Sequence, residues 1–473
     1  MSDQLGDALA AVLTELWGQP VEVTELHQLA GGASRETWSL RAATAEQRHR
    51  LVLRRDPPSA PRNRSMTQEA AVLDAAARAG VPVPALRGRG DGSDGVGSPY
   101  LLMDHLDGET IPRRLLREPR WERARTGLAA ELGRVLARIH AIGPTELPAL
   151  TGGDPLEQLR ATHDTYDEPR PALELVLRWL AEHRQPGRPD GLVHGDFRNG
   201  NLMLGPDGLR AVLDWELAHL GDPMEDLGWL CVKAWRFGAP APVGGFGGRD
   251  ELLDGYAEVA GWRPSTEALR WWEVYGTARW AVICRQQAER HLGGTERSVE
   301  MAVLGRRTCE SEHDALLALG LTEPTVVADP LNSLPAPDDG VHDRPTVDEL
   351  LAATAGFLTA ELVDGGPGGS GSSGGPGSSG GPPGVDPRLR FHARVAANAL
   401  TIARRELRVG AAQAAEHRRR LAALGCADDR ALVAAIRDGS LDDRWHDVLD
   451  TVRARTAAQL TVANPRYLAQ PGS

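Results

Sequence analysis

The chain has 473 residues, of which 41% are hydrophobic and 25% charged, and its formal net charge is −12. Those proportions belong to ordinary folded domains, and the length suits two or three of them. The acidic balance excludes a general nucleic-acid binder, whose surface must be basic to neutralise phosphates. No run reaches the about 20 consecutive apolar residues that a membrane-spanning helix takes.

The opening stretch M-S-D-Q-L-G-D-A-L-A-A-V-L has no basic start and no continuous apolar core, so it predicts an amphipathic helix and not a signal peptide. Cys231, Cys284, Cys309 and Cys426 are far apart and form no C-x-x-C pair. They are expected to be buried, inert thiols of a cytoplasmic protein, neither zinc ligands nor disulfides. Lys233 is the only lysine; arginine carries nearly all the positive charge.

Through residue 325 the chain alternates strand-like and helix-like segments. V-E-V-T-E-L-H-Q-L and E-T-W-S-L predict two strands joined by the turn Ala30–Ser34, which holds Gly31 and Gly32. A third strand follows in L-V-L-R-R-D. Alternation along it sends Arg54 to one face and Arg55 to the other. S-M-T-Q-E-A-A-V-L-D-A-A-A-R-A-G predicts a helix ending at Gly80, and S-P-Y-L-L-M-D a buried strand. A helix is expected over 121–142, and substrate-facing helices over Trp229–His291. Residues 326–345, rich in Pro and Asp, predict a linker. Thr346 and Glu349 form a capping-box pattern at the head of a helix. Residues 365–384 contain only Gly, Ser and Pro, which cannot bury apolar surface and so predict a tether. Asp386-Pro387 opens another helix, with Gly410 expected past its end. Further helical patterns centre on Leu421, Leu432 and Val448, so 346–473 predicts a small all-helical domain.

The chemistry concentrates in Gly191–Glu216, G-L-V-H-G-D-F-R-N-G-N-L-M-L-G-P-D-G-L-R-A-V-L-D-W-E. An apolar segment ends in a loop bearing His194 and Asp196, and Asn201 follows five residues later. Two short strands joined by G-P-D-G then fold Asp214 back beside Asn201 and Asp196. Phosphoryl transfer needs one carboxylate to take a proton from the attacking hydroxyl. It also needs a second carboxylate and an amide oxygen to hold Mg²⁺ on the phosphates. Asp196, Asn201 and Asp214 supply that set. A metal hydrolase built on His194, Asp196, Asp214 and His219 is a competing reading, although its histidines lack a coherent spacing.

H-G-D-F-R-N-G-N followed by L-D-W-E resembles the signature of the aminoglycoside phosphotransferase and choline kinase superfamily, over residues 10–320. L-V-L-R-R, L-D-W-E-L-A-H-L-G-D-P and D-L-G-W-L look closest to the phosphotransferases associated with acyl-CoA dehydrogenases. F-H-A-R-V-A-A-N-A-L and V-A-N-P-R-Y-L resemble the small helical domain that often accompanies them. The resemblance implies an α+β, two-lobed kinase-like fold. A β-rich N-lobe over about 1–104 and a helical C-lobe over 105–325 would hold ATP, with GTP the alternative. It implies Asp196 as catalytic base and Asn201 and Asp214 as magnesium ligands, with His194 and Asp226 supporting the loop. Gly31, Gly32 and Ser34 would approach the phosphates. Arg54 would stand where kinases place lysine, with Glu69 its acidic partner, and Met103 and Asp104 would lie at the hinge facing the base. In isolation the glycine turn is an ordinary hairpin and Arg54 a solvated strand residue.

Asp226 follows Asp214 by only twelve positions and no A-P-E element follows, so no protein-kinase activation segment fits. Trp235, Arg236, Trp272, Tyr275 and Arg279 are candidates for the acceptor pocket; at helical spacing the same aromatics also suit a core. The segment is not strongly acidic, which favours an anionic or amphipathic hydroxyl acceptor, such as a hydroxyacyl group or its CoA thioester, over a polycation. The competing functions are an aminoglycoside or macrolide kinase, and a silent nucleotide-binding scaffold that recruits a protein through its helical domain.

Overall fold

The computed structural model describes residues 2–29, 35–57, 66–147, 149–335, 344–364 and 385–472. The turn with Gly31, Gly32 and Ser34 and the tether 365–384 lie outside the described residues. The chain forms two compact units, Met1–Asp154 with Gln185–Glu273, and Pro155–Arg184 with Val274–Ser473.

In the first unit, helix α1 (Ser2–Trp17) precedes strands β1 (Glu22–Gln28), β2 (Glu36–Ala43) and β3 (Arg48–Arg55), and helix α2 (Met66–Arg78) follows. Strands β4 (Leu86–Gly90) and β5 (Tyr100–Asp104) complete a five-stranded antiparallel sheet of order β1-β2-β3-β5-β4. Leu5, Leu9 and Leu13 recur on one face of α1 and pack with Leu40, Leu51, Leu53 and Leu102 of the sheet. The pleat fixes what this register does to β3: with Leu51 and Leu53 in the core, Arg54 emerges on the opposite face. Arg55, as alternation requires, turns the other way and bonds Glu36 and the Val96 carbonyl.

The rest of the unit is mainly helical, with two small two-stranded sheets. Strand β6 (Gly191–Val193) pairs with β9 (His219–Gly221), and β7 (Leu202–Gly205) pairs with β8 (Gly208–Val212) through the G-P-D-G turn. The helix expected over 121–142 is interrupted. A short helix Glu122–Arg125 stops, Gly127 takes φ +71°, and a new helix runs over Leu128–His140. That helix lies against Arg249–Ala260 at unusually close range. A Cβ at Gly133 would stand 2.2 Å from the Leu252 carbonyl oxygen, and one at Gly255 would stand 2.1 Å from that of Ala130.

The second unit is all-helical in its described residues. Leu421, Leu424, Leu432, Ile436, Val448 and Val452 share one core with Ala172, Leu175 and Leu316. The expected capping box at Thr346 and Glu349 is present, and Arg404 and Arg408 both clasp Asp348 at the start of that helix. Gly410 does not end a helix: one helix of 38 residues runs from Pro387 to Leu424 straight through it. The physical reason is local. Ala-Ala-Gln-Ala-Ala follows Gly410, and one internal glycine costs about 1 kcal/mol, too little to stop a helix flanked by strong formers. No helix among the described residues is long and apolar enough to cross a membrane. Leu53 is fully buried between sheet and α1. Leu53→Ala is therefore expected to destabilise the protein by about 3 kcal/mol, read by chemical denaturation.

Candidate active site

The loop after β6 is held by one buried carboxylate. Asp226, in the helix Met224–Cys231, accepts the His194 N–H at 2.7 Å and the Gly195 N–H at 2.9 Å. His140 closes the network, with Nε2 at 3.2 Å from Asp226 and Nδ1 at 3.2 Å from the Tyr256 hydroxyl. The His140 ring thus links the Asp226 carboxylate to the Tyr256 hydroxyl. Burial alone would push the Asp226 carboxyl up; the hydrogen bond and charge of His140, then His194, carry it below the usual carboxylate range. Gly195 has φ +80°, and a Cβ there would lie 2.5 Å from the Leu217 carbonyl oxygen, so the loop admits no side chain at that position.

His194 is itself buried. Its Nδ1 accepts the Asp196 N–H at 3.2 Å and its Nε2 donates to the Leu213 carbonyl at 3.1 Å. The ring thus ties the loop to the end of β8, and Asn201 ties it again by accepting the Leu213 N–H at 2.8 Å. Between those anchors Asp214 adopts φ +66°, an uncommon left-handed conformation for a residue with a side chain.

The candidate side chains converge. Asp196 accepts from Asn201 Nδ2 at 2.6 Å, from Arg198 Nε at 2.9 Å and from Trp229 Nε1 at 2.9 Å. Asn201 uses its amide nitrogen on Asp196, so its carbonyl oxygen is the atom that can meet a cation. On the sheet side, Arg54 donates one nitrogen to Glu69 and another to Asp214, each at 2.8 Å. Glu69 is buried and holds a second guanidinium, that of Arg35, which also reaches Asp56 at 3.2 Å. Asp196, Asn201, Asp214, Arg54, Glu69, His194 and Asp226 therefore form one connected set.

The other candidates divide. Met103 is buried in β5 opposite Val52. Asp104 has its carboxylate on Arg87 and its N–H on the Ala85 carbonyl. Trp235 lies near the site, with the Arg198 guanidinium 4.6 Å from its ring. Arg236 is buried against Glu273 at 2.8 Å, and Trp272 packs under Gly228. In the second unit, Tyr275 is buried and bonds the Pro155 carbonyl, and Arg279 is half-buried on the helix Thr266–Leu292. The sequence reading placed Trp229 in a substrate-facing helix but not on Asp196, and it missed Arg198, Arg35 and His140 as parts of the site. Arg198 could have been found, since it lies inside H-G-D-F-R; the other three are joined to the site only by long-range contacts.

The oxygen donors of Asp214 and Asn201 suit a hard cation such as Mg²⁺. The hydrolase alternative does not fit. Both ring nitrogens of His194 are taken by the backbone, and those of His219 lie on the Leu217 carbonyl and Glu225. Burial, the main influence, holds the His194 imidazole below its ordinary value of 6.5 and keeps it neutral. The sign follows: below about pH 6.5 the unfolded chain takes up a proton that the folded loop refuses, so acid lowers stability. Wild type should lose more melting temperature between pH 7.5 and 5.5 than His194→Gln, which has no such proton to exclude.

A mouse protein, acyl-CoA dehydrogenase family member 10, is 33% identical over 243 residues, covering 48% of this chain and 22% of that one. The chicken family member 11 is 30% identical over 227 residues, covering 45% and 28%. The chain thus matches only about a quarter of the length of these relatives. A solved structure of an aminoglycoside-phosphotransferase-like protein from Ralstonia eutropha shares the fold, with TM-score 0.53 and 24% identity over 66% of this chain and 98% of that one. Residues 383–467 match a domain of unknown function, DUF6285. The model of the phosphotransferase enzyme family, APH, matches residues 25–265, more than half of the chain, and with the kinase-like lobe and loop just described the chain belongs to that family.

Proposed function

We propose that this protein is an ATP-dependent small-molecule kinase that transfers the γ-phosphoryl group to an alcohol. The observation that carries the reading is the convergence of Asp196, Asn201 and Asp214 with Arg54 pinned between Glu69 and Asp214. Asp196 is the base. It takes the proton of the acceptor hydroxyl as the new O–P bond forms and the bond to the leaving ADP oxygen breaks. Trp229, Asn201 and Arg198 fix its carboxylate for that task, and Arg198 adds positive charge beside the developing phosphate negative charge. Asn201 and Asp214 would hold Mg²⁺, which when bound neutralises phosphate charge. Arg54 binds the nucleotide phosphates in place of lysine; a planar guanidinium suits them in bidentate fashion. Glu69 sets its direction.

For the acceptor we propose a hydroxyacyl group, free or as its CoA thioester. The groups around Asp196 are Arg198, Trp229 and Trp235, a cationic and aromatic set that suits an anionic acceptor better than a polycation. The named relatives point to acyl-CoA chemistry as well. We take residues 1–325 as the phosphotransferase domain and 346–473 as an appended helical region that offers a surface to a protein partner.

Phosphate transfer from radiolabelled ATP to hydroxyacyl-CoA and aminoglycoside panels tests the reading. Transfer to the first panel is expected, and transfer to aminoglycosides alone would overturn the acceptor assignment. Asp196→Asn should lower kcat about a thousandfold while nucleotide still binds. Arg54→Ala should raise the KM for nucleotide about tenfold, the loss of one charge-assisted contact.

A further inference from the structure

The second unit holds a cleft of about 930 Å³ that is separate from the Asp196 cluster. Its walls come from the end of the helix Thr266–Leu292, from Val299–Gly305 and Thr308–Ala318, from the middle of Pro387–Leu424 and from Trp445–Ala463. Packed helices normally fill such a space with Leu and Ile. Here, beside Leu292 and Val462, most apolar wall positions are small, among them Ala288, Ala302, Gly410, Ala414, Ala454 and Ala458. The volume lies in the range of sites that enclose small molecules.

Gly410 adds an independent observation. A Cβ at that position would meet only the Glu406 side chain of its own helix, at 3.5 Å, an ordinary contact. No neighbouring element requires glycine there, although glycine inside a helix is unfavourable by about 1 kcal/mol relative to alanine. On a wall facing a cleft, the missing side chain enlarges the space open to an occupant.

The polar part of the lining is rich in guanidinium. Arg170, Arg285, Arg306, Arg420 and Arg455 face the cleft together with Glu168, Glu406 and Glu416. Glu312, 3.1 Å from Arg170, and Asp429, 3.0 Å from Arg455, stand outside the lining, whereas Glu168 within it pairs both Arg170 and Arg285. Arg420 meets Glu416 through Nε alone, and Arg306 meets Glu406 through one Nη. Each therefore retains N–H donors with no partner among the described residues. A planar guanidinium with open donors binds carboxylate or phosphate oxygens in bidentate fashion.

From these observations we propose that the cleft is a binding site for an amphiphilic anion: an aliphatic chain seated on the alanine and glycine wall, its carboxylate or phosphate head on Arg420 and Arg306. This site is independent of the kinase reading. Isothermal titration of the full-length protein with dodecanoate and dodecyl phosphate, below their micelle concentrations, tests it, with dodecanol as the uncharged control. One equivalent of at least one of the two anions should bind, at least tenfold tighter than dodecanol, and the stronger of the two identifies the head group. Gly410→Leu, which favours the helix, should fold at least as stably and bind at least tenfold more weakly. Ala458→Leu provides the same test from the opposite wall. Arg420→Gln should weaken the anion about fivefold and leave dodecanol unchanged. The proposal is overturned if neither anion binds, if dodecanol binds equally well, or if both wall-filling variants bind as wild type does.

Discussion

A carboxylate with no access to water, Asp226, receives two consecutive backbone N–H groups and an imidazole, and the shape of the loop after β6 rests on that one set of hydrogen bonds. A buried charge is tolerated only when it is fully hydrogen-bonded, and a fully bonded one is rigid. The stiffness passes outward. His194 and Gly195 are fixed, His194 fixes the Asp196 N–H and the Leu213 carbonyl, and Asp214 is held in a backbone conformation it would not otherwise favour. Removing that carboxylate would leave two buried N–H groups unsatisfied at the base of the site.

Arg54, bonded to two carboxylates, sets the electrostatics of the site. An ammonium is a point charge, whereas Arg54 presents a fork whose two ends lie on carboxylates from different elements, Glu69 on α2 and Asp214 beyond β8. One side chain of the sheet therefore sets the separation between that helix and the hairpin strand. Arg35 shares Glu69, so the acidic residue answers two cations, and burial presses the Arg35 guanidinium below its ordinary value. A nucleotide phosphate entering this set would find positive charge already oriented.

The second unit follows a different design. Its core of Leu421, Leu432, Ile436 and Val448 is conventional, but ion pairs clasp its periphery, with Arg404 and Arg408 on Asp348 and Arg178 on Asp442. Arginine suits both roles, since its stem packs along helices while its head bonds carboxylates. In a chain with a single lysine, the same residue type closes interhelical contacts, lines the cleft and bridges Glu69 and Asp214.

Features encoded by neighbouring residues were legible before any fold was known. Leu5, Leu9 and Leu13 carry the helical period, the alternation in L-V-L-R-R decides which face Arg54 takes, G-P-D-G makes the hairpin, and H-G-D with an asparagine five residues on places the site's oxygen donors. Gly410 shows the limit of such local reading, since a helix end is a balance of small terms that flanking alanines can tip. What only the tertiary structure decided is which distant groups meet. His140 comes to Asp226, Tyr256 to His140, Trp229 to Asp196, and Arg35 to Glu69 because helix packing carries them there. The same packing buried Arg236 against Glu273, although its residue type had suggested an acceptor pocket. A short motif fixes its own geometry through its turns, whereas a contact between residues far apart in the chain exists only after the core has closed.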